Sequence, residues 1–85
     1  MTRLWPDGEI LEVWGGEETP SGFAWQATSH HILEVYNRWR IHTRWWESDE
    51  VIWREYIKVA TDKGLLCLLY RDLDAGGWFL ARVYD

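Results

Sequence analysis

The sequence predicts an all-β fold, and two observations carry that prediction. Apolar residues recur mainly at every second position, which is the period of a strand with one buried face. Turn signals rich in Gly, Asp and Ser separate the apolar segments. We therefore expect about six antiparallel strands, at 9–14, 22–27, 30–41, 51–61, 65–72 and 77–84.

The first two strands follow an acidic N-terminal segment. Residues 1–8 are expected to form an irregular leader, and alternation begins in residues 9–14. A stretch from Gly15 to Gly22 then separates this strand from residues 22–27, because Gly and Pro favour turns. We expect Thr28 and Ser29 to form the short turn into the third strand.

The third strand, 30–41, carries apolar and basic side chains at alternate positions. Trp39 and Ile41 share one parity, and Arg38, Arg40 and His42 share the other. Successive side chains of a strand point to opposite faces. We therefore expect Trp39 in the core and the basic side chains in an exposed row.

The last three strands are expected to form a meander joined by tight turns. Residues 51–61 alternate, whereas residues 65–70 are apolar at both parities, as in a strand covered on both faces. Residues 61–64 and 74–77 both carry the Asp and Gly of a hairpin turn. Small all-β chains must protect their edges, so we expect a small SH3-like, partly open barrel or a strongly bent sheet.

The composition excludes several classes of protein. The 85 residues suit a single domain, 1–85, and the eight Trp supply much of its core material. The chain has no apolar run of transmembrane length and no apolar stretch typical of a signal peptide. One Cys excludes an intramolecular disulfide and fits a reducing compartment, so we expect the cytoplasm. The net charge of −5 disfavours a general polyanion binder.

No residues carry a catalytic or metal-binding pattern. Cys67 lies in the most apolar stretch, where burial makes a thiol inert. His30 and His31 are adjacent and would point to opposite faces of a strand, and neither forms a zinc-site spacing with His42. Asp72 directly follows a strand and is expected to cap a turn or hold an ion pair. We expect no enzymatic activity, no metal and no cofactor.

The remaining candidate is the basic and aromatic segment 38–46, which reads RWRIHTRWW between acidic flanks. Arg and Trp together are common in protein-interface hot spots and on surfaces that bind single-stranded nucleic acid. Trp45 and Trp46 are adjacent, so a regular strand could not turn both into one core. The expected contact residues are Arg38, Arg40, His42, Arg44, Trp45 and Trp46.

Three interpretations of this segment remain open. It is a solvated strand face, a protein interface, or a weak, salt-sensitive site for single-stranded nucleic acid. We favour a non-enzymatic β interaction module that binds a protein partner, with nucleic-acid binding through the same surface as the alternative.

From residue 9 onward, a series of positions also carries a family resemblance: Ile10–Trp14, Phe23-x-Trp25, Ile32, Val35, Arg38-Trp39-Arg40, Trp45-Trp46, Arg54-Glu55-Tyr56, Val59, Gly64, Leu69–Asp72, Trp78–Leu80 and Arg82–Asp85. In these residues the chain resembles a small bacterial domain family of unknown function. A similar segment ends the Y-family-polymerase-like subunit of the bacterial mutasome. The resemblance implies a non-catalytic accessory role in translesion DNA synthesis or repair. Residues 26–31 lack the Arg and Lys that such relatives often carry there, which argues against direct DNA binding.

Overall fold

The computed structural model describes residues 3–16, 18–44 and 51–84, with the backbone alone for 3–7 and 44. No described residue is helical, and no described segment forms a helix that could cross a membrane. The described residues form six strands: β1 Arg3–Trp14, β2 Gly22–Trp25, β3 Thr28–Arg44, β4 Val51–Thr61, β5 Leu66–Asp72 and β6 Trp78–Tyr84. The predicted all-β fold of six antiparallel strands is confirmed.

The six strands close into a barrel. Each strand pairs antiparallel with the next one along the chain, and β6 pairs back with β1. The closing ladder includes the pairs Ile10–Phe79 and Leu11–Trp78. The barrel is therefore closed, where the sequence pattern left open a partly open barrel or a bent sheet.

The strand β1 begins at Arg3, inside the expected irregular leader 1–8, and this expectation is corrected. Arg3 lies opposite Val83 in β6, so the backbone of these residues belongs to the closing ladder. The ladder is irregular across Pro6 and Gly8, two residues that normally interrupt strands. The pairing is interrupted between Leu4 and Glu9, and the alternation is lost there, so the sequence pattern does not indicate the first part of this strand.

The hairpin between β2 and β3 turns at Gln26 and Ala27, not at Thr28 and Ser29 as the sequence suggested. Both turn residues have positive φ, 50° at Gln26 and 59° at Ala27. Trp25 and Thr28 close the turn as a directly opposed pair. Two-residue hairpins of this handedness normally use Asn and Gly, so the sequence carries no signal for this turn.

The barrel interior is filled by alternate side chains from all six strands. Its buried cluster contains Leu11, Phe23, Trp25, Ile57, Val59, Cys67, Leu69, Trp78, Leu80 and Val83. Trp25 Nε1 donates to Glu9 Oε2 at 3.0 Å, so the buried indole keeps a hydrogen-bond partner. His30 is buried beside Phe23 with a ring separation of 5.2 Å. A barrel of this size has an interior that side chains fill completely.

Two bulges in β3 decide which way its second half faces. The pairing with β4 slips once between Ile32 and Glu34 and again between Val35 and Asn37. Leu33 and Tyr36 are therefore extra residues, and both are well exposed. Each bulge shifts the alternation by one position, so the parity of the sequence cannot be carried along this strand.

As a result, Val35 and Trp39 lie on opposite faces although they share a parity, and the faces of β3 beyond its second bulge are opposite to the sequence prediction. Arg38 lies opposite Ile57, a fully buried core residue, and shares its face. Trp39 lies opposite Tyr56 on the outer face of the barrel, where it is half-buried. The prediction of a core Trp39 is wrong, and the basic row continues the inward face of the barrel.

Candidate functional site

The second half of β3 and most of β4 form a long antiparallel ribbon. We define the β3–β4 ribbon as residues 37–44 and 51–58, which pair without a break from Asn37–Lys58 to Arg44–Val51. The strand β5 joins β4 only from the Arg54–Asp72 pair onward. The tip of the ribbon is therefore two-stranded within the described residues.

A buried carboxylate organises the inner face of the ribbon. Glu55 is 2% exposed and lies directly opposite Arg40 on one side and Arg71 on the other. Arg40 Nε donates to Glu55 Oε2 at 2.9 Å, and Arg71 Nη2 donates to Oε1 at 3.4 Å. Arg38 Nη1 donates to the same Oε1 at 2.9 Å, and Nη2 of Arg38 reaches Thr19 Oγ1. Three arginines thus surround one carboxylate.

The electrostatics of this cluster favour an ionised Glu55 and leave positive charge over. Burial by itself raises the pKa of Glu55, but the hydrogen bond from Arg40 and the charges of Arg38 and Arg71 outweigh it, so the pKa is lowered. Among the described side chains of this cluster, three guanidinium groups share one carboxylate, so cations outnumber anions. Arg40 is the most exposed of the three, with 65% of its side chain in solvent. The cluster therefore presents basic character at the surface.

The tip of the ribbon adds exposed apolar and aromatic groups to this charge. His42 stacks on Trp53 across the strand pair, with ring centroids 5.2 Å apart. Trp53 is 41% exposed, and Val51 and Ile41 are each 38% exposed. A large aromatic ring beside partly solvated arginines is typical of interface hot spots.

The other face of the sheet carries a row of aromatic rings that runs across β3, β4, β5 and β6. Trp39 stacks on Tyr56 at 5.4 Å and 9°, Tyr56 contacts Tyr70, and Tyr70 stacks on Phe79 at 4.9 Å. Tyr70 is only 2% exposed, and a Cβ at Gly8 would overlap its ring. The centre of the row is therefore covered by β1, and the row mainly stabilises the sheet.

The structure places the six predicted contact residues in different surroundings or leaves them outside its description. Arg38, Arg40 and His42 share one face of the ribbon, although two of them are bound to Glu55. The Arg44 backbone pairs with Val51 at the tip. Trp45 and Trp46 lie outside the described residues.

Sequence reasoning missed Glu55, Arg71 and Trp53 as members of this surface. The signal for Glu55 was present, because it is the one charged residue at the inward parity of β4, between Trp53 and Ile57. A carboxylate at such a position requires cationic partners on the neighbouring strands.

Three titratable groups outside this cluster are either buried or hold local structure. Burial raises the pKa of the Cys67 thiol to about 12, so it is protonated at neutral pH. Asp72 Oδ1 accepts from the backbone N–H groups of Asp74 and Ala75, both at 2.9 Å, which confirms it as a turn cap. His31 Nδ1 lies 3.3 Å from Asp62 Oδ2 at the opposite end of the barrel.

Among residues 3–16, 18–44 and 51–84, no three His, Cys, Asp or Glu side chains lie close enough to hold a metal ion, and no pocket is found. Comparisons with protein-family models, curated proteins and solved structures found no match to this chain. The resemblance to the mutasome-associated family therefore stays a prediction.

Proposed function

We propose that the chain is a non-enzymatic interaction module that binds a protein partner through the β3–β4 ribbon. One observation carries the proposal: exposed Trp53 lies on the face of the ribbon that bears the arginines around Glu55, and exposed Ile41 lies on the other face of the same ribbon. Apolar anchors within a basic surround give a docking partner both contact area and orientation. The partner that we propose to test first is a replication or repair protein of the bacterial cytoplasm, on the strength of the family resemblance.

The test is capture of a defined partner by the immobilised protein and by three variants. Trp53→Ala and Ile41→Ala remove apolar anchors from the ribbon, and Ile10→Ala removes an equally apolar but 80% exposed side chain outside it. We expect the ribbon variants to weaken capture by about tenfold or more, equivalent to about 1.4 kcal/mol, and Ile10→Ala to leave it unchanged. Circular dichroism confirms that each variant is folded. Equal capture by all three variants would show that the ribbon is not the interface.

The alternative, weak binding of single-stranded nucleic acid, draws support from the same excess of positive charge. It is tested by titrating an oligonucleotide at low and moderate salt. Binding that falls steeply with salt and is lost in Arg40→Gln would favour the alternative. The protein-binding proposal requires no such binding at moderate salt.

A further inference from the structure

We infer that the free edge of β3 adds a strand from an acidic, extended segment of the partner. This inference rests on the proposed function and specifies how the ribbon would bind. The edge in question is residues 37–44, the regular part of β3 beyond its second bulge. On its other side this stretch pairs with β4 throughout.

The first step in the argument is that this edge has no strand beside it in the described part of the chain. β2 pairs with β3 only from Thr28 to His31. Backbone hydrogen bonds from outside the strand ladders reach β3 at His31 and Ile32 and at no later described position. In an antiparallel strand, every second residue directs its N–H and C=O away from the paired neighbour. Residues 37–44 therefore offer a row of backbone donors and acceptors that a further strand can use.

The second step is that both charged side chains described at inward positions of this edge are cationic. Arg38 and Arg40 are cationic, His42 continues the row, and Glu55 neutralises only part of the cluster. Directly opposite side chains in an added antiparallel strand would lie roughly 4.5–5.5 Å from this row. Acidic side chains at alternate positions would therefore complete the cluster.

The same row disfavours a second copy of this chain as the added strand. In any antiparallel self-pairing within residues 37–44, the inward positions Arg38, Arg40 and His42 would face one another across the new ladder. Like charges directly opposite destabilise a strand pair. The β3 edge therefore disfavours pairing with a second copy of itself and favours an acidic partner strand.

The outward positions define the other half of the partner pattern. Trp39 and Ile41 lie on the outer face, and Ile41 is 38% exposed. β-Branched or aromatic side chains pack well beside such residues on a neighbouring strand. The expected partner segment alternates Glu or Asp with Val, Ile or Thr.

The test uses three synthetic peptides that match the length of residues 37–44. The first alternates Glu with Val and Thr, the second has Lys in place of Glu, and the third keeps Glu but carries N-methyl groups on the amides of one edge. Binding is followed by amide chemical shifts and hydrogen exchange of the isotope-labelled full chain. We expect the Glu peptide to protect amides within 37–44. The other two peptides should bind with an affinity at least about tenfold lower.

Two protein variants of equal charge change serve as controls. Arg40→Glu should weaken binding of the Glu peptide and strengthen that of the Lys peptide, whereas Lys63→Glu in the β4–β5 turn should change neither. If Arg40→Glu fails to fold, Arg40→Gln should still weaken binding of the Glu peptide by about tenfold.

Several results would overturn the inference. They are equal binding of the N-methylated peptide, no protection in 37–44 at millimolar Glu peptide, or a dimer of the chain alone with those amides protected. Loss of partner capture in Trp53→Ala together with any of these results would refute strand addition and leave the proposed function standing. Unchanged capture in Trp53→Ala and Ile41→Ala would refute the proposed function instead.

Discussion

Arg40 and Glu55 face each other directly in the β3–β4 ladder, with Nε and Oε2 2.9 Å apart. The carboxylate of Glu55 is almost fully buried, whereas the arginine side chain is mostly exposed. Glu55 therefore depends on its partners more than they depend on it, because a buried carboxylate without cations is costly. Removing its charge tests how far the cluster stabilises the barrel.

We predict that Glu55→Gln lowers the free energy of unfolding by about 1–3 kcal/mol. The amide keeps the size of the side chain but leaves three arginines without their anion. Urea denaturation of the variant at neutral pH measures the loss. Glu12→Gln, at an exposed position of β1, is the matched control and should change stability by less than about 0.5 kcal/mol. Similar values for the two variants would contradict a structural role for Glu55.

The stability of the barrel should fall in mild acid because of His30. Burial, with a smaller effect of Lys63, lowers the pKa of His30, while Asp62 opposes the shift. The unfolded chain, with a His pKa of about 6.5, therefore binds a proton more readily than the folded one. Stability from this group is fully present above the unfolded pKa and declines as pH falls through 6.5 toward the lowered folded pKa, by at most about 1.4 kcal/mol per pH unit.

The measurement is a series of urea unfolding curves between neutral and mildly acid pH, for the wild type and for His30→Gln. The variant should lose the slope in that window, although its stability at neutral pH also changes because Thr61 Oγ1 lies 3.4 Å from the imidazole Nδ1. Parallel pH profiles for the two proteins would assign the acid sensitivity to other groups.

The β2–β3 turn is strained, so a substitution that relieves the strain should stabilise the protein. Ala27 has φ of 59°, a conformation that costs a residue with a Cβ roughly 1–2 kcal/mol. We predict that Ala27→Gly raises the free energy of unfolding by about 0.5–1 kcal/mol, since the relief exceeds the added chain entropy. Thermal and urea unfolding both report the change. Ala24→Gly, within β2, should instead destabilise by about 0.5–1 kcal/mol, and a loss of stability in both variants would contradict the turn geometry.

The stack of Trp39 on Tyr56 should contribute a measurable coupling energy. The rings are nearly parallel and 5.4 Å apart on adjacent strands. A double-mutant cycle with Trp39→Ala and Tyr56→Ala should give about 0.5–1.5 kcal/mol of coupling. Trp39 and Phe79 are separated by two strands and provide the reference pair, for which the coupling should be near zero. If the losses of stability in the two single variants simply add, the stacking of Trp39 on Tyr56 would be contradicted.

The sequence alone was sufficient for the strands whose alternation is unbroken. The bounds of β4 are those predicted, because alternate residues from Val51 to Val59 keep one parity against a regular neighbour. The turns predicted at 61–64 and 74–77 also follow their Asp and Gly residues, as Gly64 N–H donates to Thr61 and Asp72 caps the second turn.

The faces of β3 could not be predicted in this way. Leu33 and Tyr36 are ordinary strand residues, and nothing in their chemistry marks them as unpaired. The bulges arise from the fit of β3 against β4 within a closed barrel, which is a long-range property. The sequence therefore predicted a strand that contains Arg38 and Trp39 but could not assign Arg38 inward and Trp39 outward.

The bulge at Tyr36 has a consequence for how such a ribbon can change over evolutionary time. Deleting this one codon would remove the bulge but leave Asn37 opposite Lys58 and Arg38 opposite Ile57, so every later side chain of β3 would keep its face. A bulge in β3 therefore absorbs a change of one residue in strand length without exchanging the basic and aromatic faces of the ribbon. The length of β3 can thus vary at its bulges over generations while the ribbon keeps its basic face.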